Sequence, residues 1–147
     1  MVYFPAAVVG PPDSRLDVYK RQLERCRKIA EWCGENTFVA VCNGKVVGFA
    51  RYEETSRDCP EQQMSEIGAL YVLGEYQGYG IGRALLERCL QVVPYKNVML
   101  WVLKGNQKAI AFYEHMGFCL TGQEICRQVA GGELTELEMV RKPVENL

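Results

Sequence analysis

Between Glu66 and Leu90 the chain runs directly from an apolar stretch through a glycine-rich turn into a helical repeat, an order that few folds accommodate. Ile67, Ala69, Leu70, Tyr71 and Val72 combine apolar, aromatic and β-branched side chains in a short run, which predicts a buried strand. Gln77-Gly78-Tyr79-Gly80-Ile81-Gly82 follows, and beyond it Ile81, Leu85, Leu86, Cys89 and Leu90 recur at helical spacing. The expectation is strand, turn, helix. Three glycines at alternate positions omit the Cβ atoms that would block close approach, and the first turn of a helix has amide N–H groups without intrahelical acceptors. Such a turn suits an anion, because those donors and the positive end of the helix dipole converge on it.

Two common phosphate signatures are excluded. A P-loop requires Lys-Ser/Thr after its last glycine, but Arg83 and Ala84 follow Gly82. A dinucleotide fingerprint starting at Gly80 wants Gly or Ala where Leu85 stands, and its acidic residue would fall in the apolar run Val98 to Leu103. What Gln77-x-x-Gly80-x-Gly82 resembles is the pyrophosphate-binding signature of the GNAT superfamily of acyl-CoA-dependent N-acetyltransferases. The plain alternative is a turn that needs glycine only for positive φ.

The chain has 147 residues, 48% apolar, with a formal charge of −1, which fits one globular domain with a sizeable core. A near-neutral balance argues against a nucleic-acid partner, and no stretch approaches a membrane span. The seven cysteines (Cys26, Cys33, Cys42, Cys59, Cys89, Cys119 and Cys126) are odd in number, form no C-x-x-C pair and sit mostly in apolar patterns. Reduced, buried thiols in a cytoplasmic protein are expected. No metal is expected either, with His115 the single histidine.

Met1 to Gly10 is apolar but lacks a basic leader region, so a signal peptide is not expected. Ser14 to Gln22 resembles translated cloning-adapter sequence, and residues 1–22 are therefore set apart from a domain over 23–142 and a tail over 143–147. Val2 to Phe4 or Ala7 to Val9 could still dock as a substitute edge strand, with Pro11 to Asp13 as the break. Leu23 to Cys33 carries an amphipathic helical pattern. Thr37 to Cys42 and Lys45 to Tyr52 read as strands joined by Asn43-Gly44, a strong hairpin signal. Glu53 to Gln63 is polar and reads as an exposed loop.

Val98 to Leu103 is apolar on both faces, as in an interior strand. A helix starting at Asn106 presents Ala109, Ile110, Phe112, Tyr113 and Met116 as one stripe and stops at Gly117. Cys119 to Val129 and Glu133 to Val140 then form a hairpin around Gly131-Gly132.

The block Leu100-Trp101-Val102-x-x-x-Asn106-x-x-Ala109-x-x-Phe112-Tyr113-x-x-x-Gly117-Phe118 is similar to the GNAT segment after the pyrophosphate loop, so the resemblance covers about Leu23 to Lys142. It implies an α/β (α+β) fold: a mixed, mostly antiparallel sheet flanked by helices, with a splayed central strand pair that takes acyl-CoA. It also implies acetyl-CoA as co-substrate, contacted by Leu70, Tyr71, Val72, Gln77, Gly78, Tyr79, Gly80, Ile81, Gly82, Arg83, Asn106 and Tyr113. The other partner would be a small-molecule or peptide amine, and a homodimer is compatible with the reading.

Attack of a neutral amine on a thioester builds an oxyanion and expels a thiolate, so the site needs a proton acceptor, an oxyanion donor and a leaving-group acid. Tyr113 is the candidate acid, with core packing as its alternative. Asn106 also has a plain role as helix N-cap. The resemblance implies Glu66, at the opening of the central strand, as the candidate base; a solvated strand end is its alternative, with Glu53 and Glu54 as rivals. His115 is expected at the surface, and a cysteine nucleophile is disfavoured. The competing function is a non-catalytic acyl-CoA-binding regulator.

Overall fold

The computed structural model describes residues 2–5, 36–56 and 60–143. The helix expected over Leu23 to Cys33, the adapter-like stretch and residues 144–147 lie outside the described residues. The chain divides into two compact units, residues 1–52 with 69–92 and residues 53–68 with 93–147.

In the first unit, strand β1 (Val2–Pro5) pairs in parallel with β2 (Thr37–Cys42), so the amino-terminal apolar segment does supply a strand. Strand β2 is buried along its whole length and pairs antiparallel with β3 (Lys45–Glu53). The turn between them places Asn43 at φ 50° and Gly44 at φ 75°, the left-handed pair that a two-residue hairpin requires. The end of strand β4 (Ser65–Val72) leads through a 3-10 turn (Gly74–Tyr76) into helix α1 (Ile81–Val92). Helix α1 buries Ile81, Leu85, Leu86 and Cys89, the expected stripe apart from Leu90, which is half-buried.

Strand β3 approaches the end of β4 unusually closely at Gly48. A Cβ there would lie 2.7 Å from the Tyr71 carbonyl oxygen and 3.3 Å from side-chain atoms of Leu85 and Val72. Because the nearest obstacle is backbone, it cannot rotate away. Gly48→Val is expected to lower stability by about 1–3 kcal/mol, read as a lower urea midpoint at unchanged slope. An unchanged midpoint would show that the strands can part at this point without cost.

In the second unit, the start of β4 pairs in parallel with β5 (Val98–Leu103) from Ser65↔Val98 to Ile67↔Leu100, where the register ends. Strand β7 (Gly132–Arg141) pairs antiparallel with β5 and with β6 (Cys119–Val129), the latter bulged between Leu120 and Glu124. Val98, Met99, Leu100 and Val102 are buried, as an interior strand requires. Helix α2 (Gln107–His115) starts at the Asn106 cap and is followed by Gly117 at φ 93°. Among the described residues the antiparallel pairs β2–β3, β5–β7 and β6–β7 outnumber the parallel pairs β1–β2 and β4–β5, and the fold is mixed α/β as expected.

Two expectations need correction. The polar stretch after Glu53 is not uniformly exposed: Ser56 is fully buried, its amide donates to the Met64 carbonyl at 2.6 Å, and Ser65 Oγ donates to the Glu54 carbonyl at 2.7 Å. These bonds fold the segment back onto the start of β4. The thiols are also not all buried, since Cys42 and Cys89 are but Cys119 and Cys126 are exposed. Both exposed thiols sit on β6, which stands last in the strand order and is exposed along most of its length.

Candidate active site

The glycine turn of the first unit is built around two left-handed residues, Gly78 and Gly80, each at φ 84°. Gly80 is the helix cap in the backbone sense, because its carbonyl accepts from the Ala84 amide at 3.0 Å. The buried Ile81 side chain anchors the helix start beneath it. Among the described residues no acceptor is bonded to the backbone amides of residues 78 to 83. Consecutive unbonded amides opening a twelve-residue helix provide donors and a favourable dipole for an anion. Among the described residues, a Cβ at Gly78 or Gly80 would meet no atom within 4 Å.

The other expected cofactor residues divide by role. Leu70 and Val72 are half-buried, while Tyr71 is exposed with its ring 6.0 Å from that of Phe49. Tyr79 is 63% exposed between the two left-handed glycines. Arg83 is exposed and bonded to Glu87 at 2.9 Å, a surface pair of little energetic weight. Gln77 is exposed, and its carboxamide donates to the Val72 carbonyl at 3.0 Å.

In the second unit, Glu66 is 5% exposed and accepts a hydrogen bond from Ser56 Oγ at 3.3 Å. A solvated strand end is therefore ruled out for Glu66. Of the rivals, Glu54 is exposed and Glu53 is half-buried. Asn106 caps α2, its side-chain oxygen accepting from the Ala109 amide at 3.2 Å. Tyr113 is half-buried, edge-on to Phe112 at 5.3 Å and to Phe118 at 5.9 Å. Burial pushes its phenol up to about 12, so it is protonated at neutral pH and can act as a proton donor.

One possible nucleophile, Cys89, is disfavoured. Burial pushes the Cys89 thiol up to about 12, which leaves almost no thiolate for attack at neutral pH. His115 is exposed at the end of α2, as expected.

The sequence pattern of the Acetyltransferase (GNAT) family matches residues 10–118. The chain belongs to this family. It is 32% identical over 90 residues to a probable N-acetyltransferase of Mycobacterium tuberculosis, covering 61% of this chain and 50% of that one. It is 34% identical over 95 residues to the 5-NmdU N-acetyltransferase of Pseudomonas phage PaMx11, covering 65% of this chain and 61% of that one. The chain thus spans between half and two thirds of the length of these two relatives. Among solved structures it is similar to the ribosomal-protein-alanine N-acetyltransferase of Brucella melitensis, with TM-score 0.63, 25% identity and coverage of 84% and 78%.

Two residues in contact with expected site residues escaped the sequence reading, Ser56 beside Glu66 and Gly48 beside Tyr71 and Val72. Ser56 lies in a polar stretch with nothing to mark it as buried, and Gly48 is a lone glycine inside a strand pattern. The strand glycine was the available signal, because an isolated one marks a close backbone approach. Among the described residues no group of three or more His, Cys, Asp or Glu could hold a metal ion, and no helix is long and apolar enough to cross a membrane.

Proposed function

We propose that the chain is an acetyl-CoA-dependent N-acetyltransferase that moves acetyl to a primary amine by direct attack in a ternary complex. The observation that carries the reading is the run of unbonded amides at residues 78 to 83, which fits a pyrophosphate. The room at Gly78 and Gly80 supports the fit, since among the described residues a β-carbon at either position would meet no atom within 4 Å. Acetyl-CoA supplies an activated acetyl group as a thioester. In this reading Gly78, Tyr79, Gly80, Ile81, Gly82 and Arg83 hold the pyrophosphate through backbone N–H groups, with Leu70, Tyr71, Val72 and Asn106 as further contacts.

Glu66 takes the proton of the incoming amine, directly or through water. Its buried position and the Ser56 hydrogen bond restrict its rotamers, which favours that role over its rivals. Tyr113 gives its phenolic proton to the departing thiolate; a phenol is protonated at neutral pH even at its ordinary pKa of about 10. A carboxyl group buried at the start of β4 favours the enzyme over a binding-only regulator.

The acceptor is a small-molecule or peptide amine. Thiol release from acetyl-CoA, followed over polyamines, aminoglycosides, amino acids and peptides, tests the reading. Release that rises with one acceptor class supports the enzyme. Tight acetyl-CoA binding without acceptor-dependent release would leave the regulator instead.

A further inference from the structure

The end of β4 and the turn after it are joined by a compact set of hydrogen bonds. The Leu73 amide donates to the Val47 carbonyl at 2.8 Å, extending the attachment to β3 one residue beyond β4. The Tyr76 amide then donates to the Leu73 carbonyl at 2.9 Å and the Gln77 amide to the Gly74 carbonyl at 3.2 Å, closing the 3-10 turn. Gln77 itself is extended, at φ −72° and ψ 151°, and its side-chain Nε2 donates to the Val72 carbonyl at 3.0 Å. The next residue is Gly78, the first of the left-handed pair.

Gln77 is thus tied at two points, by its amide and by its carboxamide, to the segment that precedes it. A residue held at both ends has little freedom to rotate, and the direction in which it sends the chain sets where the following amides point. We propose that Gln77 is a positioning residue rather than a ligand: it staples the turn to the end of β4 and orients the amides of residues 78 to 83. This assignment rests on reading those amides as the pyrophosphate site. It replaces the direct cofactor contact expected for Gln77. Orientation fixed in advance raises affinity because less freedom is lost on binding.

The chemistry requires a neutral donor of this length. Methionine keeps the unbranched stem and loses the donor, whereas an ionised glutamate would set a carboxylate against a carbonyl oxygen. The test uses the full chain as wild type, Gln77→Met and Gln77→Glu. CoA affinity is measured by calorimetry, backbone amide resonances are recorded on the protein alone, and melting temperatures are compared.

The expected result for Gln77→Met is CoA affinity weaker by roughly three- to tenfold, the effect of one modest hydrogen bond. The amide resonances of residues 78 to 83 shift in the protein alone, and the melting temperature stays within a few degrees. Gln77→Glu weakens CoA further, because it adds negative charge beside a phosphate site. Unchanged affinity in Gln77→Met overturns the proposal. So does weakened affinity with unmoved amide resonances, which would make the carboxamide a direct ligand. A wild-type chain that binds no CoA overturns the pyrophosphate reading instead, and the amide spectra of the variants still decide whether Gln77 orients the turn.

Discussion

Tyr113→Phe is expected to lower turnover with acetyl-CoA by about 10²- to 10⁴-fold, the usual effect of losing a general acid, while CoA affinity barely changes. The substitution deletes one oxygen and keeps the ring that packs edge-on against Phe112 and Phe118, so it leaves the local core in place. Steady-state thiol release together with calorimetric CoA binding separates the two effects. Unchanged turnover would reduce Tyr113 to a packing residue, and a trapped acetyl-cysteine would overturn direct attack.

The pH dependence follows from the same burial. An acid must be protonated to act, and Tyr113 has its pKa raised to about 12, so it imposes no falling limb on the rate below about pH 10. The sign for stability is also set. Because the folded value lies above the unfolded value of about 10, this group's contribution is fully present below about pH 10 and is lost as pH rises toward 12. In Tyr113→Phe that part of the alkaline decline disappears.

Gly80→Val is expected to weaken CoA binding by about 10²-fold or more, corresponding to the loss of two charge-assisted hydrogen bonds, in a chain that still folds. At φ 84° a β-branched side chain is strongly disfavoured, so Gly80 must leave the left-handed region and carry the neighbouring amides with it. Among the described residues a Cβ at Gly80 meets no atom within 4 Å. Unfolding is therefore not the expected outcome, and circular dichroism checks this alongside the calorimetry. Gly82 lies in α1 and is not left-handed, so Gly82→Ala isolates the second requirement, close approach of the ligand. Unchanged CoA binding in both variants would mean that the turn does not hold the cofactor.

Much of the fold was legible because it depends on short windows of sequence. The Asn43-Gly44 turn, the Asn106 cap, the interior run at Val98–Leu103 and the buried stripe of α1 are each set by neighbours within a few residues. Turn chemistry and periodicity act at that range. The same locality explains two failures. The cysteines as a group were expected to be buried, but burial depends on what covers a strand, and Cys119 and Cys126 on β6, last in the strand order, are exposed. A polar run predicted an exposed loop, but hydrogen bonds across the sequence bury Ser56.

By itself the sequence determined the order of strand, glycine turn and helix and the position of the amide-rich turn, because each is carried by residue type at fixed spacing, while the candidate acid and base followed from the GNAT resemblance. Only the tertiary structure decided how those residues are held. Folding the segment after β3 back onto β4 turns Glu66 from a strand end open to water into a buried carboxylate bonded to Ser56. Packing among Phe112, Phe118 and the body of α2 withdraws the Tyr113 phenol from water and raises its pKa. The Val72 carbonyl draws the Gln77 carboxamide back toward β4. The physical reason is common to all three: solvation and hydrogen-bond partners depend on atoms brought together by folding, and residue identity alone does not specify them.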